Sequence, residues 1–309
     1  MFERVRHRQT FFGKLWYIYG QRLHRWMIAK DANVYLKPND IISHRPTLFG
    51  MHEPHIEALI TEASATHGDF LLDIGANIGM TSALVGRRFA RVDCVEPNEL
   101  VVNILKTNLA MNLSATEHEV HAVGLGKEDG VLTLRVPPDN FGGAYVEDGN
   151  PQFDGETATQ HSNQFSDRSG HLALDVVIRE AGQWLDGRFT ALREAGFRKG
   201  VIKIDVEGYE EVIFGKIIET LPADFSAVVV MENWFDRFPV SRFSSARHAL
   251  AWYYVQKRRR ILHSIPFKLL GLSSSYDQVV SPLDDDTKSP HDVICVIGAA
   301  GWAPCRFQK

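Results

Sequence analysis

The stretch Phe70-Leu71-Leu72-Asp73-Ile74-Gly75-Ala76-Asn77-Ile78-Gly79 restricts most strongly what this chain can fold into. Phe70 to Ile74 is a short apolar run of the kind found in a central parallel strand, interrupted only by Asp73. Gly75 and Gly79 then permit a tight turn and close approach of the backbone to a ligand, and Met80 to Phe89 reads as a helix. Strand, glycine turn and helix in that order predict an α/β unit with a ligand cradle at the turn.

Glycine spacing alone fits nucleotide loops and plain structural turns equally well. Two acids separate these readings. Asp73 precedes the first glycine, where a carboxylate suits the ammonium or sulfonium end of S-adenosylmethionine and would repel a dinucleotide pyrophosphate. Glu96 closes the next strand, Arg91 to Val95, seventeen positions after Gly79, the place for a carboxylate that accepts both ribose hydroxyls. Asn77 replaces the middle glycine of a strict G-x-G-x-x-G, which further disfavours a dinucleotide.

The chain has 309 residues and 44% hydrophobic content, enough for a full core in one α/β domain with extensions. Its formal charge of −4 excludes a global attraction to nucleic acid. Cys94, Cys295 and Cys305 lack C-x-x-C spacing and read as core thiols of a reducing cytoplasm. Residues 1–50 are expected to be a basic, partly helical extension, with Leu15, Tyr19, Leu23, Trp26 and Met27 on one helical face. Packing on the domain is the expected role of that helix; peripheral contact with an anionic membrane through residues 1–30 is the alternative. His44, His52 and His55 near Glu53 invite a metal reading, but their spacing fits no H-E-x-x-H or zinc-finger pattern, and the histidines read as solvated loop residues.

The 51–309 remainder is expected to be a single catalytic domain. His55 to Thr66 reads as a helix, and Asn98 caps another whose Val101, Val102, Leu105 and Leu109 face inward. Val120 to Val123, Val131 to Val136 and Leu172 to Val177 are strand candidates. Between the last two lies 137–170, polar and almost without aliphatic residues, expected to be a flexible loop or lid. In Val201 to Glu210, Lys203 and Asp205 emerge on one face near a strand's carboxyl end, where open parallel sheets place ligands. Glu207, Glu210 and Glu211 follow in the first turn of a helix, where the helix dipole favours negative charge. Phe225 to Met231 is another buried strand, ending in Glu232-Asn233. Ser244 to Leu262 reads as a long helix, and Tyr276 to Val280 with Asp292 to Ile297 as a closing strand pair.

The motifs Asp73-Ile74-Gly75-Ala76-Asn77-Ile78-Gly79, Val95-Glu96-Pro97-Asn98, Ala122-Val123-Gly124, Leu174-Asp175 and Ile202-Lys203-Ile204-Asp205-Val206-Glu207-Gly208 occur in the order seen in FkbM-type S-adenosylmethionine-dependent methyltransferases, which the chain resembles from about Glu53 to Met231. The resemblance implies a class I methyltransferase fold: a seven-stranded, mostly parallel, Rossmann-like sheet with helices on both faces and an antiparallel closing strand. It implies methyl transfer to a hydroxyl, often of a sugar, glycan or secondary metabolite. Asp73, Gly75, Ala76, Asn77 and Gly79 would then contact the methionine part, and Glu96 with Pro97 the ribose. Asp205 and Glu207 would line the reaction centre beside Lys203. Tyr209 stands where alanine is more usual.

A sugar hydroxyl is a poor nucleophile, so a positioned base is expected, with Asp205 first, Glu207 second and His161 third. A divalent metal is not expected; the alternative ligand set would be Asp205, Glu232 and Asn233. Two other classes stay open: a nucleotide-dependent oxidoreductase or epimerase, and a non-catalytic scaffold on the same fold.

Overall fold

The computed structural model describes residues 34–36, 40, 53–146, 170–233, 236–259, 276–290 and 292–298. The expected helix in residues 1–30, His44, His52, most of the 137–170 loop with His161, and Cys305 lie outside the described residues.

Strand and helix alternate as the sequence implies. In order come α1 (Pro54–Ala63), β1 (Phe70–Ile74), α2 (Met80–Val85), β2 (Arg91–Val95), α3 (Glu99–Asn112) and β3 (Glu117–His121). After three strands of a separate sheet and β7 (Leu172–Glu180), the chain resumes with α4 (Ala181–Glu194), β8 (Lys199–Ile204), α5 (Glu210–Thr220) and β9 (Ser226–Glu232). The expected helix ending at Phe89 stops at Val85 and tightens into a 3-10 turn, Gly86–Arg88. Asn98 caps α3 by accepting from the Leu100 N–H, and the four inward positions of that helix are all buried.

The main sheet has eight strands, not seven, in the order β11-β10-β12-β9-β8-β1-β2-β3. The run from β9 to β3 is parallel, and the other three strands, β10 (Leu250–Arg259), β11 (Tyr276–Pro282) and β12 (Asp292–Ile297), are antiparallel to their neighbours. Alternation along the strands builds a core on each face. Phe70, Leu72 and Ile74 pack with Leu185, Phe189, Ile213 and Ile217 of α4 and α5. Leu71 and Val201 pack with Leu59, Val85 and Leu105 of α1 to α3.

Two expectations are corrected here. Ser244 to Leu262 is not a helix: Leu250–Arg259 is strand β10, because Trp252 and Tyr254 join one core while Tyr253 and Val255 join the other, a period of two. The supposed closing pair is separated by that strand, since β11 and β12 each pair with β10 and not with each other.

A second sheet, also unforeseen, orders β4 (Gly124–Gly126), β7, β5 (Gly130–Val136) and β6 (Tyr145–Val146). It takes up the strand candidates Val131 to Val136 and Leu172 to Val177. No helix among the described residues is long and apolar enough to cross a membrane. Cys94 and Cys295 are buried free thiols, as expected of core residues.

Candidate active site

Chain order runs outward from β1 to β3 on one side and returns at β8 on the other, so β1 and β8 flank the point where the sheet changes direction. There the two chemical centres of the sequence meet. Asp73 and Lys203 are register partners on neighbouring strands, and the Asp205 N–H donates to the Ile74 carbonyl at 2.9 Å. Gly75 is required at this contact: φ is +82°, and a Cβ would lie 1.7 Å from the Asp205 carbonyl oxygen.

A cavity of about 320 Å³ opens at this edge, within the range of small-molecule sites. One side is the glycine turn with Glu96 and Pro97; the other is the second sheet, through Gly124, Leu125, Leu134 and Ile178. Asn140 to Val146, the first part of the expected lid, form a third wall, pinned where the Phe141 N–H donates to Asp40 Oδ2. Those residues are therefore structured; 147–169 lie outside the described residues.

Glu96 is buried and held open. Its Oε2 accepts from the Asn77 N–H and its Oε1 from the Asn98 N–H, each at 2.8 Å. Burial pushes its pKa up to about 7 against the lowering effect of those two bonds. Each carboxylate oxygen retains a second lone pair for a ligand hydroxyl.

Asp73 is placed differently from expectation. It does not line the cavity but lies behind it, buried, accepting from Ser82 Oγ at 2.7 Å with Oδ2 while Oδ1 sits 3.7 Å from Lys203 Nζ. Alternation is the reason: the side chain points to the face covered by α2, so it reaches the cavity only through Lys203. Gly79 also stands outside the lining; with φ +75° and Leu105 against it, it serves the turn and the close packing of α3.

Lys203 is nearly buried and binds Asp205 Oδ2 at 2.8 Å. Its pKa is raised, because Asp205 and Asp73 together outweigh the cost of burial. Asp205, Glu207 and Glu232 gather at this end of the cavity, joined by Glu53 from the segment of loop histidines. Burial, reinforced by Asp205, raises the pKa of Glu53, Glu207 and Glu232. Glu207 is also a backbone outlier, with φ +53°. Glu210 is structural: it accepts from the N–H groups of Val206 and Gly208 and caps the turn. Of the alternative metal set, Asp205 and Glu232 line the cavity, Asp205 with Oδ2 accepting from Lys203, while Asn233 is buried and donates its side-chain N–H to the Pro290 carbonyl at 2.7 Å.

The residues fit S-adenosylmethionine on geometry: an anchored carboxylate over the glycine turn, an apolar wall at Val123 to Leu125, and an acidic end for the cationic sulfur. No family model matches the chain. It is 27% identical over 184 residues to "Methyltransferase sdnD" of Sordaria araneosa, covering 56% of this chain and 69% of that protein. Among solved structures it is similar to an O-methyltransferase from Bacillus cereus in complex with SAH, at 9% identity and TM-score 0.38, covering 95% of this chain and 93% of that one. It is similar also to the O-methyltransferase TomG of Streptomyces achromogenes in complex with SAM, at 12% identity and TM-score 0.40, covering 89% and 99%.

Proposed function

We propose that the chain is an S-adenosylmethionine-dependent O-methyltransferase of the FkbM type, acting on a hydroxyl of a sugar, glycan or related metabolite. One observation carries this reading: Glu96, anchored by two backbone N–H groups, faces the same cavity as Asp205, Glu207 and Glu232. A carboxylate for a ribose diol stands at one end and a carboxylate cluster for a cation at the other. That acidic end disfavours a dinucleotide, whose pyrophosphate would meet like charge. The named relative supports methyl transfer, and the order of the motifs supports the FkbM type.

When bound, the donor supplies an electrophilic methyl group on a cationic sulfur. The chain's part is to hold the acceptor hydroxyl in line with that methyl, exclude water and receive the proton. The second sheet and Asn140 to Val146 close the cavity on the side opposite the main sheet. Asp205, with Oδ2 fixed by Lys203, has Oδ1 to orient the hydroxyl. Glu207, on the same wall and with its pKa raised by burial and by Asp205, receives the proton once it is ionised.

Calorimetry with S-adenosylmethionine and with NAD tests the donor. Mass spectrometry for a +CH₂ product over nucleotide sugars, glycolipids and oligosaccharides tests the acceptor. Binding of NAD in preference to S-adenosylmethionine would overturn the proposal.

A further inference from the structure

A second, very small cavity, about 20 Å³, lies beside the acidic end of the first, with room for about one water or ion. Glu53, Lys203, Asp205, Glu232 and Asp292 wall it. Glu53 and Asp292 face it and His55 stands beside them, so three potential ligands come together from two places in the chain. Glu53 immediately precedes α1 and His55 lies in its first turn, so one turn of backbone delivers both. Asp292 opens β12, opposite Glu232 in the register of β9. The ligand atoms of Glu53, His55 and Asp292 all lie within 4.8 Å of one another.

A plain ion pair accounts for only two of the three. His55 Nε2 lies 2.9 Å from Asp292 Oδ2, and both side chains are nearly buried. Glu53 makes no capping hydrogen bond at the start of α1 and instead faces both cavities among other carboxylates. The neighbouring ammonium is already committed, as Lys203 binds Asp205 at 2.8 Å and lies 3.7 Å from Asp73. A carboxylate so placed takes either a proton or a cation. The spacing suits a metal: ligands about 2.1 Å from an ion stand about 3.0 Å apart along the edge of an octahedron, close to the His55–Asp292 separation.

We propose that Glu53, His55 and Asp292 hold a divalent cation beside the acceptor end of the cavity. One imidazole and two carboxylates favour a first-row transition ion such as Mn²⁺ over Mg²⁺ or Ca²⁺. Its binding depends on these three side chains alone, whereas its role, offsetting the carboxylates around the acceptor hydroxyl, rests on the methyltransferase reading. A second trio, Asp93, Glu119 and His121, is equally close-set but carries Arg91 and Arg188 on its carboxylates, so it is already neutralised.

The test is a titration of the full chain with Mn²⁺, followed by calorimetry and by the spin-resonance signal of the free ion. A single Mn²⁺ is expected per chain. Affinity should fall by about tenfold or more in His55→Gln, Asp292→Asn and Glu53→Gln, and should be unchanged in His121→Gln. Glu53→Gln keeps the same shape at a half-buried site, so it remains informative if the two buried variants fail to fold. Absence of Mn²⁺ binding, or equal binding by wild type and Glu53→Gln, overturns the proposal. S-adenosylmethionine is titrated separately in EDTA. Donor binding without Mn²⁺ binding removes the metal and leaves the methyltransferase reading; Mn²⁺ binding without donor binding does the reverse.

Discussion

Gly75 and Asp205 are locked back to back: the α-carbon of one faces the carbonyl oxygen of the other so closely that a Cβ on Gly75 would stand 1.7 Å from it. The donor turn and the acceptor edge therefore cannot move independently. Gly75→Ala must either push β1 and β8 apart or leave the left-handed region. Steric overlap and an unfavourable φ together should cost about 2 to 4 kcal/mol. Gly187→Ala, in the interior of α4 with nothing within 4 Å of its Cβ, should instead stabilise by about 0.5 to 1 kcal/mol. Urea unfolding of the two variants checks both signs, and similar effects in the two would mean that the contact is not tight.

Glu96 owes its orientation to the backbone, so its loss should touch binding more than folding. Glu96→Ala removes a carboxylate anchored by Asn77 and Asn98 and should weaken S-adenosylmethionine binding by about 2 to 4 kcal/mol, well over tenfold. Calorimetry on a folded variant decides it, and unchanged affinity would remove the ribose assignment.

These two sites were legible because their signals are local. Phe70 to Gly79 contains its own strand, turn and helix start, and Glu96 follows from the strand that ends beside it. The second sheet was not legible, because β5 and β7 are joined by pairings such as Thr133 with Asp175, with the long polar stretch between them. Strand β10 was misread because a short aromatic run fits either period until β11 and β12 flank it. Glu53 stood out only as a carboxylate among loop histidines whose spacing fits no metal pattern. What makes it part of the site is proximity to Lys203, Asp205 and Asp292, which only the folded sheet creates.

The stability of the empty protein should fall as pH rises from about 5 to 8. Burial raises Glu57, Glu96 and Glu210 from 4.5 to about 7, with Glu53 adding to the effect on Glu57. Between those values the folded state binds more protons than the unfolded chain, so raising pH through that window destabilises it. His67 opposes this: burial lowers it from 6.5 to about 4, so the unfolded chain binds the extra proton there and stability rises with pH. Three acids outweigh one histidine. Thermal unfolding from pH 5 to 8 should show a net decline of several degrees, and a flat or rising profile would contradict the burial of these acids. Ribose hydroxyls need Glu96 ionised, so the stabilisation produced by S-adenosylmethionine should be larger at pH 8 than at pH 6.

Glu207 sits at φ +53°, a conformation that costs a non-glycine residue about 1 to 2 kcal/mol, and it adds a carboxylate to a site already crowded with them. Glu207→Gly removes both the backbone strain and the crowded carboxyl, so thermal stability should hold or rise, against the entropic cost of a glycine. Turnover on the true acceptor should nonetheless fall about 10²-fold or more, with little change in donor affinity, because the proton has lost its acceptor. Glu207→Gln, which keeps the strain and the shape, should lose turnover to a similar extent without gaining stability. Asp205→Asn should also slow turnover, but the acidic limb of its pH–rate profile should persist, since Glu207 still titrates; in Glu207→Gln that limb should vanish. If Glu207→Gly turned over normally, the proton would have to go to Asp205 or Glu232, and the strain at Glu207 would belong to the turn alone.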